Sequence, residues 1–175
     1  KGVEILTSAK VVGIKDNGRE AAVQVEIGGA RKELPGEKVL VSVGRKTNTE
    51  ALNMDKVGIA HDRGRITVND KMETSVPGVY AIGDCNGRIM LAHVASDQGE
   101  IAAENAMGHK AEFNPATNPS WVYTKPEIAG VGLTEEQAKE KGREDVVGKF
   151  PLMANGKALI MNGGTGRVKV IAGKK

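Results

Sequence analysis

The sequence predicts a protein of the α/β class whose last third is α+β, and three patterns lead to this prediction. A β-meander pattern occupies residues 3 to 44, and a strand–turn–helix pattern runs from Val79 to His93. A linker rich in Pro and Asn, residues 114 to 120, then precedes further strands and one helix. With 175 residues, 39% of them hydrophobic, the chain is long enough to bury a core.

The first 44 residues predict a meander because β-branched runs alternate with turn signals. Asn17-Gly18 and Gly28-Gly29 supply the positive φ angles that tight hairpin turns need. The last run is continuously apolar, which predicts a more deeply buried strand. The predicted strands span residues 3–6, 11–14, 22–27, 31–34 and 39–43.

The middle of the chain predicts a short apolar strand followed by one long helix. Val79 to Ile82 form the strand, which ends at Gly83. Apolar spacing from Leu91 to Met107 predicts the helix, and Gly108 lies where a C-terminal cap belongs. Upstream, we expect a cap at residues 47–49, a short helix at 50–54 and a strand at 65–68.

The last third predicts one capped helix among several strands. Thr134 and Gln137 have the spacing of a capping box, so a helix is expected to follow to about Lys141. The strands are predicted at residues 121–123, 128–131, 146–151, 158–161 and 167–171.

Composition argues against several classes of function. The net charge of +3 comes without a basic block, so no nucleic-acid partner is expected. No apolar run approaches the roughly 18 residues of a membrane span, so no membrane association is expected. The single cysteine excludes an intrachain disulfide and a multi-cysteine metal site, and it favours a cytoplasmic location. The Lys-Gly-Val-Glu start and the end just after a strand predict a truncated chain.

The run from Val79 to His93 is the strongest candidate for a binding site. Asp84 presents a carboxylate beyond the predicted strand, where ligands bind in open α/β sheets and where sugar hydroxyls could donate to it. The first amides of the following helix, at about Ala92 and His93, favour an anion. The alternative is an ordinary turn followed by a packing helix, with His93 as a capping or solvent-facing side chain rather than a proton-transfer group.

The ordered motifs of the chain resemble the flavoprotein disulfide reductases, and within them the dihydrolipoamide dehydrogenase branch. MLAH at residues 90–93, followed by Gly99-Glu100 and Pro126-Glu127, favours that branch over glutathione or mercuric reductases. The resemblance covers essentially the whole chain. It rests on VSVGRKTNTE (41–50), GRITVND (64–70), VPGVYAIGD (76–84), VYTKPEIAGVGLTEEQAKE (122–140) and GKFPLMAN (148–155).

The resemblance implies an enzyme that uses FAD, NAD and a redox disulfide to reoxidise protein-bound dihydrolipoamide. It implies a homodimer that serves a lipoyl-bearing protein of a 2-oxo acid dehydrogenase or glycine cleavage complex. Residues 1–44 would close an NAD-binding domain, 45–115 would form the second half of an FAD-binding domain, and 118–175 would begin a dimerisation domain. The flavin would lie along Asp84, Met90, Leu91, Ala92 and His93, and NAD would contact Gly44 and Val11.

Several elements of the family pattern are missing from these 175 residues. They include the redox cysteine pair, the Gly-rich dinucleotide fingerprints and the acid–base histidine. Thr47 stands where such sequences usually have proline, and Cys85 is expected to be a buried rather than a reactive residue. We therefore assign no catalytic residue and no metal ligand, and we expect the chain alone to be inactive. A related flavoprotein, such as an NADH oxidase or a mercuric reductase, and a non-catalytic dimerisation module remain alternatives.

Overall fold

The computed structural model of the chain describes residues 2–174, and its mixture of helices and strands confirms the predicted fold class. The chain divides into two compact units between Arg45 and Lys46. In the described range, no helix is both long and apolar enough to cross a bilayer.

The first unit is a three-stranded antiparallel sheet whose strands are paired in the order of the sequence. Gly28 and Gly29 have φ angles of 58° and 83°, so they form the predicted tight turn between the second and third strands. A β-bulge follows Val11 in the first strand. The strands are β1 (Lys10–Asp16), β2 (Ala21–Ile27) and β3 (Ala30–Gly36).

Two predicted strands of this unit are absent from the structure. Residues 3–6 and 39–43 belong to no strand, and Leu40 and Val43 are 90% and 89% exposed. The expected deep burial of the second run is therefore wrong in the described residues. An apolar run becomes a strand only when a neighbouring strand supplies hydrogen-bond partners, and these two runs have no such neighbour among residues 2–174.

The second unit begins with short elements that surround one long helix. The long helix matches the prediction for residues 91–107 closely. A 3₁₀ helix at Glu50–Leu52 precedes α1 (Met54–Val57), β4 (His61–Asp62) pairs with β5 (Arg65–Ile66), a 3₁₀ turn spans Gly83–Asn86, and α2 is the long helix Ala92–Ala106.

Local predictions in this region fail where a long-range partner intervenes. Thr49 precedes the 3₁₀ helix but makes no cap, because its hydroxyl donates to the Gly64 carbonyl at 2.6 Å. The predicted strand at residues 79–82 is reduced to a single bridge between Tyr80 and Glu73. The strand predicted at 65–68 is only two residues long.

Two small hydrophobic clusters hold α2 and the turns before it. Met72, Val94, Ala102 and Phe113 form the first cluster, and Leu91 packs against it. The second consists of Met54, Ile66 and Ala81, with Cys85 at its edge. The turn at Gly83–Asn86 therefore lies between α2 and a packed core.

The last part of the chain contains two β-hairpins and two helices. Thr134 caps α3 with the predicted capping box, since its hydroxyl accepts from Gln137 N and the Gln137 side chain accepts from Thr134 N. A 3₁₀ turn at Pro115–Thr117 leads into this part. The elements are β6 (Ser120–Val122) paired with β7 (Ile128–Gly130), α3 (Glu135–Glu140), β8 (Asp145–Pro151), α4 (Gly156–Asn162) and β9 (Arg167–Gly173), which pairs with β8.

The strand predicted at residues 158–161 is wrong, because these residues lie inside α4. Asn155 caps that helix by accepting from Ala158 N at 2.9 Å, and Gly163 ends it with a φ of 70°. Four consecutive apolar residues fit either a strand or a buried helical turn, so the caps decide between them.

Candidate functional site

The turn at Gly83–Asn86 is built by a sharp change of backbone direction. Ile82 is extended, with φ −122° and ψ 155°, and the buried Gly83 then takes a φ of 72°, which favours glycine. Gly87 ends the turn with a φ of 64°, and its N–H donates to the Asp84 carbonyl. The sequence-predicted turn is thus present, and it leaves Asp84 exposed in its first residues.

Cys85 lies beside Asp84 but has the environment of a structural thiol. Its Sγ donates to the Ile82 carbonyl at 3.1 Å, and burial raises the pKa of the thiol. A raised pKa keeps the group protonated, and a protonated thiol is a poor nucleophile.

The start of α2 lies eight residues beyond Asp84, and no side chain in the described part of the chain caps it. Leu91 is the residue before the first turn, with φ −129° and ψ 138°, and the first turn contains no acidic side chain. The amides at Ala92 and His93 therefore keep the partial positive charge of a helix N-terminus without a local carboxylate to balance it. Ala92 is itself exposed, as an approaching ligand would require.

The predicted residues around this helix start have different surroundings. Met90 is half-buried, and the Leu91 side chain packs on the cluster that contains Met72. His93 is exposed, and its Nε2 is 2.8 Å from the Pro119 carbonyl, to which it donates. One turn along, Asp97 Oδ2 accepts from Asn118 Nδ2 at 3.1 Å. One face of α2 is therefore attached to the segment that follows Pro115–Thr117.

Gln98 is a buried polar residue beside this turn, and the sequence analysis did not select it as a site residue. It is 0% exposed, and its Oε1 accepts from Gly83 N and from Asn86 Nδ2, both at 2.8 Å. Asn86 is also buried, and its Nδ2 donates to the Ala81 carbonyl at 3.1 Å. The sequence does contain one sign of this role for Gln98, because it is a polar residue at a core-facing position of the apolar series from Leu91 to Ala106.

The two residues expected to contact NAD lie in the first unit. Val11 is 57% exposed on β1, so it is not a core valine. Gly44 has a φ of 101° and lies beyond the last strand of that unit, near Arg45. Val11 and Gly44 both belong to the first unit. Their assignment as NAD contacts stays a prediction.

The chemistry of the turn and helix start suits a ligand with two kinds of group. An exposed carboxylate accepts hydrogen bonds from hydroxyls, and a helix N-terminus stabilises an acceptor that becomes anionic. A Cβ at Gly83 would lie 3.1 Å from Ala95 Cβ, so glycine is what lets the turn approach the helix this closely. The carboxylate and the helix start are therefore parts of one packed element.

The chain is similar to known proteins along nearly its whole length. A dihydrolipoyl dehydrogenase from Thermus scotoductus is 47% identical over 174 residues, which is 98% of this chain and 38% of that protein. The mitochondrial dihydrolipoyl dehydrogenase of Pisum sativum is 43% identical over all of this chain and 36% of its own length. The chain thus spans a little over a third of the curated relatives it matches.

A crystal structure of LpdA from Mycobacterium tuberculosis matches with a TM-score of 0.88 and 30% identity, over 99% of this chain and 38% of that one. Residues 1–99 match the family model described as pyridine nucleotide-disulphide oxidoreductase, and residues 118–175 match the dimerisation domain of the same family. This chain belongs to the pyridine nucleotide-disulphide oxidoreductase family.

Proposed function

We propose that the chain supplies the flavin-facing half of the FAD site of a dihydrolipoyl dehydrogenase. Such an enzyme reoxidises protein-bound dihydrolipoamide with NAD through a redox disulfide. The family binds FAD and NAD. The observation that carries the proposal is the packed turn–helix unit, which combines the exposed Asp84 carboxylate with an uncapped helix start at Ala92. The name and 47% identity of the Thermus scotoductus relative support the substrate assignment.

The residues of this unit fit the cofactor. Asp84 would accept hydrogen bonds from ribityl hydroxyls, and the amides of Ala92 and His93 would face the pyrimidine edge of the flavin. Bound FAD supplies electron transfer between the dithiol and NAD. The chain's own contribution is to orient the flavin and to favour negative charge at one end of it through the α2 dipole. Met90 would lie along the ring as a half-buried apolar contact.

The segment after residue 117 is proposed to form a homodimer interface, as its family match supports. Trp121 and Tyr123 stack with ring centroids 5.7 Å apart although they are 51% and 80% exposed, and Ile160 is 83% exposed. Exposed aromatic and apolar side chains of this kind are typical of interface cores. A lipoyl-bearing protein of a 2-oxo acid dehydrogenase or glycine cleavage complex is the proposed partner in catalysis. The single cysteine supports a cytoplasmic location.

A chimera tests the proposed function. Residues 1–175 replace the aligned segment of the Thermus scotoductus relative, and the purified protein is expected to be yellow, to retain FAD and to form NADH from dihydrolipoamide and NAD. Asp84→Ala should weaken FAD binding by about ten- to a hundred-fold, because a hydrogen bond to a charged group contributes about 1.5–3 kcal/mol. Asp62→Ala, at an exposed carboxylate of the β4–β5 hairpin, is the matched control. A colourless chimera, or equal losses in both variants, would contradict the proposal.

The non-catalytic alternative is an interaction module, and the dimerisation match favours it as a second candidate. Sedimentation of the 175-residue chain should then show a concentration-dependent dimer. A monomer at every concentration tested would remove this candidate without affecting the FAD proposal.

A further inference from the structure

We propose that Gln98 is a positioning residue that fixes the Asp84 turn to α2 and so sets the flavin site. This inference deepens the proposed function and rests on it. Gln98 lies within α2, fully buried, and it reaches the turn at two points through a single oxygen. No ligand contact is assigned to Gln98, so its effect on a bound flavin acts through the turn.

The hydrogen bonds fix both the orientation of the amide and the place of the turn. Gly83 N and Asn86 Nδ2 are both donors, so only the oxygen of the Gln98 amide can face them. Gly83 is the first residue of the turn and Asn86 the last, so the oxygen joins its two ends. Asp84 lies between these two anchored residues.

Close packing makes the anchoring rigid. Besides the approach of Gly83 to Ala95, a Cβ at Gly99 would lie 3.3 Å from the Ile82 side chain. The turn and the helix therefore meet at small residues on both sides of Gln98. Loss of the Gln98 oxygen leaves the buried Gly83 N–H without this acceptor and leaves Asn86 Nδ2 with the Ala81 carbonyl as its remaining acceptor. A buried donor without a partner is costly enough to make the turn shift towards water.

The nitrogen of the same amide shows that the oxygen is the atom that holds the turn. Gln98 Nε2 is buried and has no hydrogen-bond partner among residues 2–174. Only the oxygen is engaged with the turn, so a side chain of the same length with an acceptor at that place should be sufficient. Protonated glutamate, the form that a fully buried site favours, supplies that acceptor, whereas leucine supplies the volume without it.

The experiment uses the chimera with the Thermus scotoductus relative. Gln98→Leu should release FAD about ten-fold faster than the parent chimera, equivalent to about 1.4 kcal/mol at 25 °C. Gln98→Glu should restore release to within about two-fold of the parent. Hydrogen–deuterium exchange of the peptide that covers residues 79–91 should be faster in Gln98→Leu and should return towards the parent rate in Gln98→Glu.

Ala102→Gly is the matched control, because Ala102 is a buried residue of the same helix that contributes to the Met72 cluster and not to the turn. It should lower thermal stability without accelerating FAD release. The proposal is overturned if Gln98→Leu behaves like the parent, if Gln98→Glu is as weak as Gln98→Leu, or if Ala102→Gly releases FAD equally fast.

A second variant tests the proposal if Gln98→Leu folds poorly. Asn86→Ser removes the Nδ2 donor from the turn side, and the same two assays apply to it. Unchanged FAD release and unchanged exchange in that variant would also overturn the proposal. A parent chimera that does not bind FAD refutes the proposed function, whereas a yellow parent with insensitive variants refutes only the role of Gln98.

Discussion

Replacing Gly83 with alanine should destabilise the turn that carries Asp84. Gly83 has a φ of 72°, and a side chain in the left-handed region costs about 1–2 kcal/mol. The added Cβ would also lie 3.1 Å from Ala95 Cβ, where ordinary contacts begin at 3.4 Å. Overpacking of this kind typically costs about 1–3 kcal/mol. We expect a total loss of about 2–5 kcal/mol in the free energy of unfolding.

Urea titration of the chain, followed by far-ultraviolet circular dichroism, measures this loss. Gly58→Ala is the matched control, since Gly58 ends α1 with a φ of 75° and a Cβ there would meet nothing within 4 Å. The control should lose only the backbone term of about 1–2 kcal/mol. Equal losses in the two variants would refute the packing argument, and no loss in either would refute the backbone argument as well.

Four further outcomes are expected. Gly99→Ala should change stability by less than about 1 kcal/mol, because gained helix propensity offsets a 3.3 Å contact with a flexible side chain; a larger loss in the same titration would contradict this. Lys169 lowers the pKa of Glu135 by donating a hydrogen bond to it, so this stabilisation is present above the unfolded pKa and is lost as the pH falls through the folded pKa. An NMR titration should show that most of this lowering of the Glu135 pKa is lost in Lys169→Met, while the smaller effect of Lys149 remains. Asn118→Ala should cost about 1 kcal/mol and speed amide exchange in the first turns of α2, because it removes the hydrogen bond to Asp97. The chain alone should not turn over dihydrolipoamide with NAD, because a redox disulfide needs two cysteines and the sequence has one; turnover in a sample of verified mass would contradict that.

Features that are set by neighbouring residues could be predicted from the sequence. The Gly28-Gly29 turn, the capping box at Thr134 and the long helix α2 all depend on residues within a few positions of one another. Each of them appears in the structure close to its predicted bounds.

Features that depend on distant partners could not be predicted. Residues 39–43 have the composition of a buried strand, but a strand also needs a neighbour, and composition does not reveal one. Thr49 has the side chain of a helix cap, yet the Gly64 carbonyl competes for its hydroxyl. The 158–161 error is different in kind, because Asn155 and Gly163 were visible in the sequence as helix signals.

The same distinction between local and distant partners applies to the candidate site. The acidic turn and the helix start could be predicted because they are contiguous in the sequence. The contacts of Gln98 could not be predicted, because a polar residue in an apolar series does not reveal which hydrogen-bond donors it contacts. The structure identifies Gly83 and Asn86 as those donors, 15 and 12 positions away.

The contacts between α2 and residues 118 and 119 limit how this protein can recombine with its relatives. The His93 contact uses a main-chain carbonyl, which every residue at position 119 provides. The Asp97 contact uses the side-chain amide of Asn118, which few residues can imitate. A crossover after position 118 therefore keeps both contacts in the hybrid, whereas a crossover before it keeps the Asp97 contact only when the other gene also encodes an amide at position 118. The boundary after residue 118 is thus the crossover point that best preserves these contacts when the C-terminal part is exchanged.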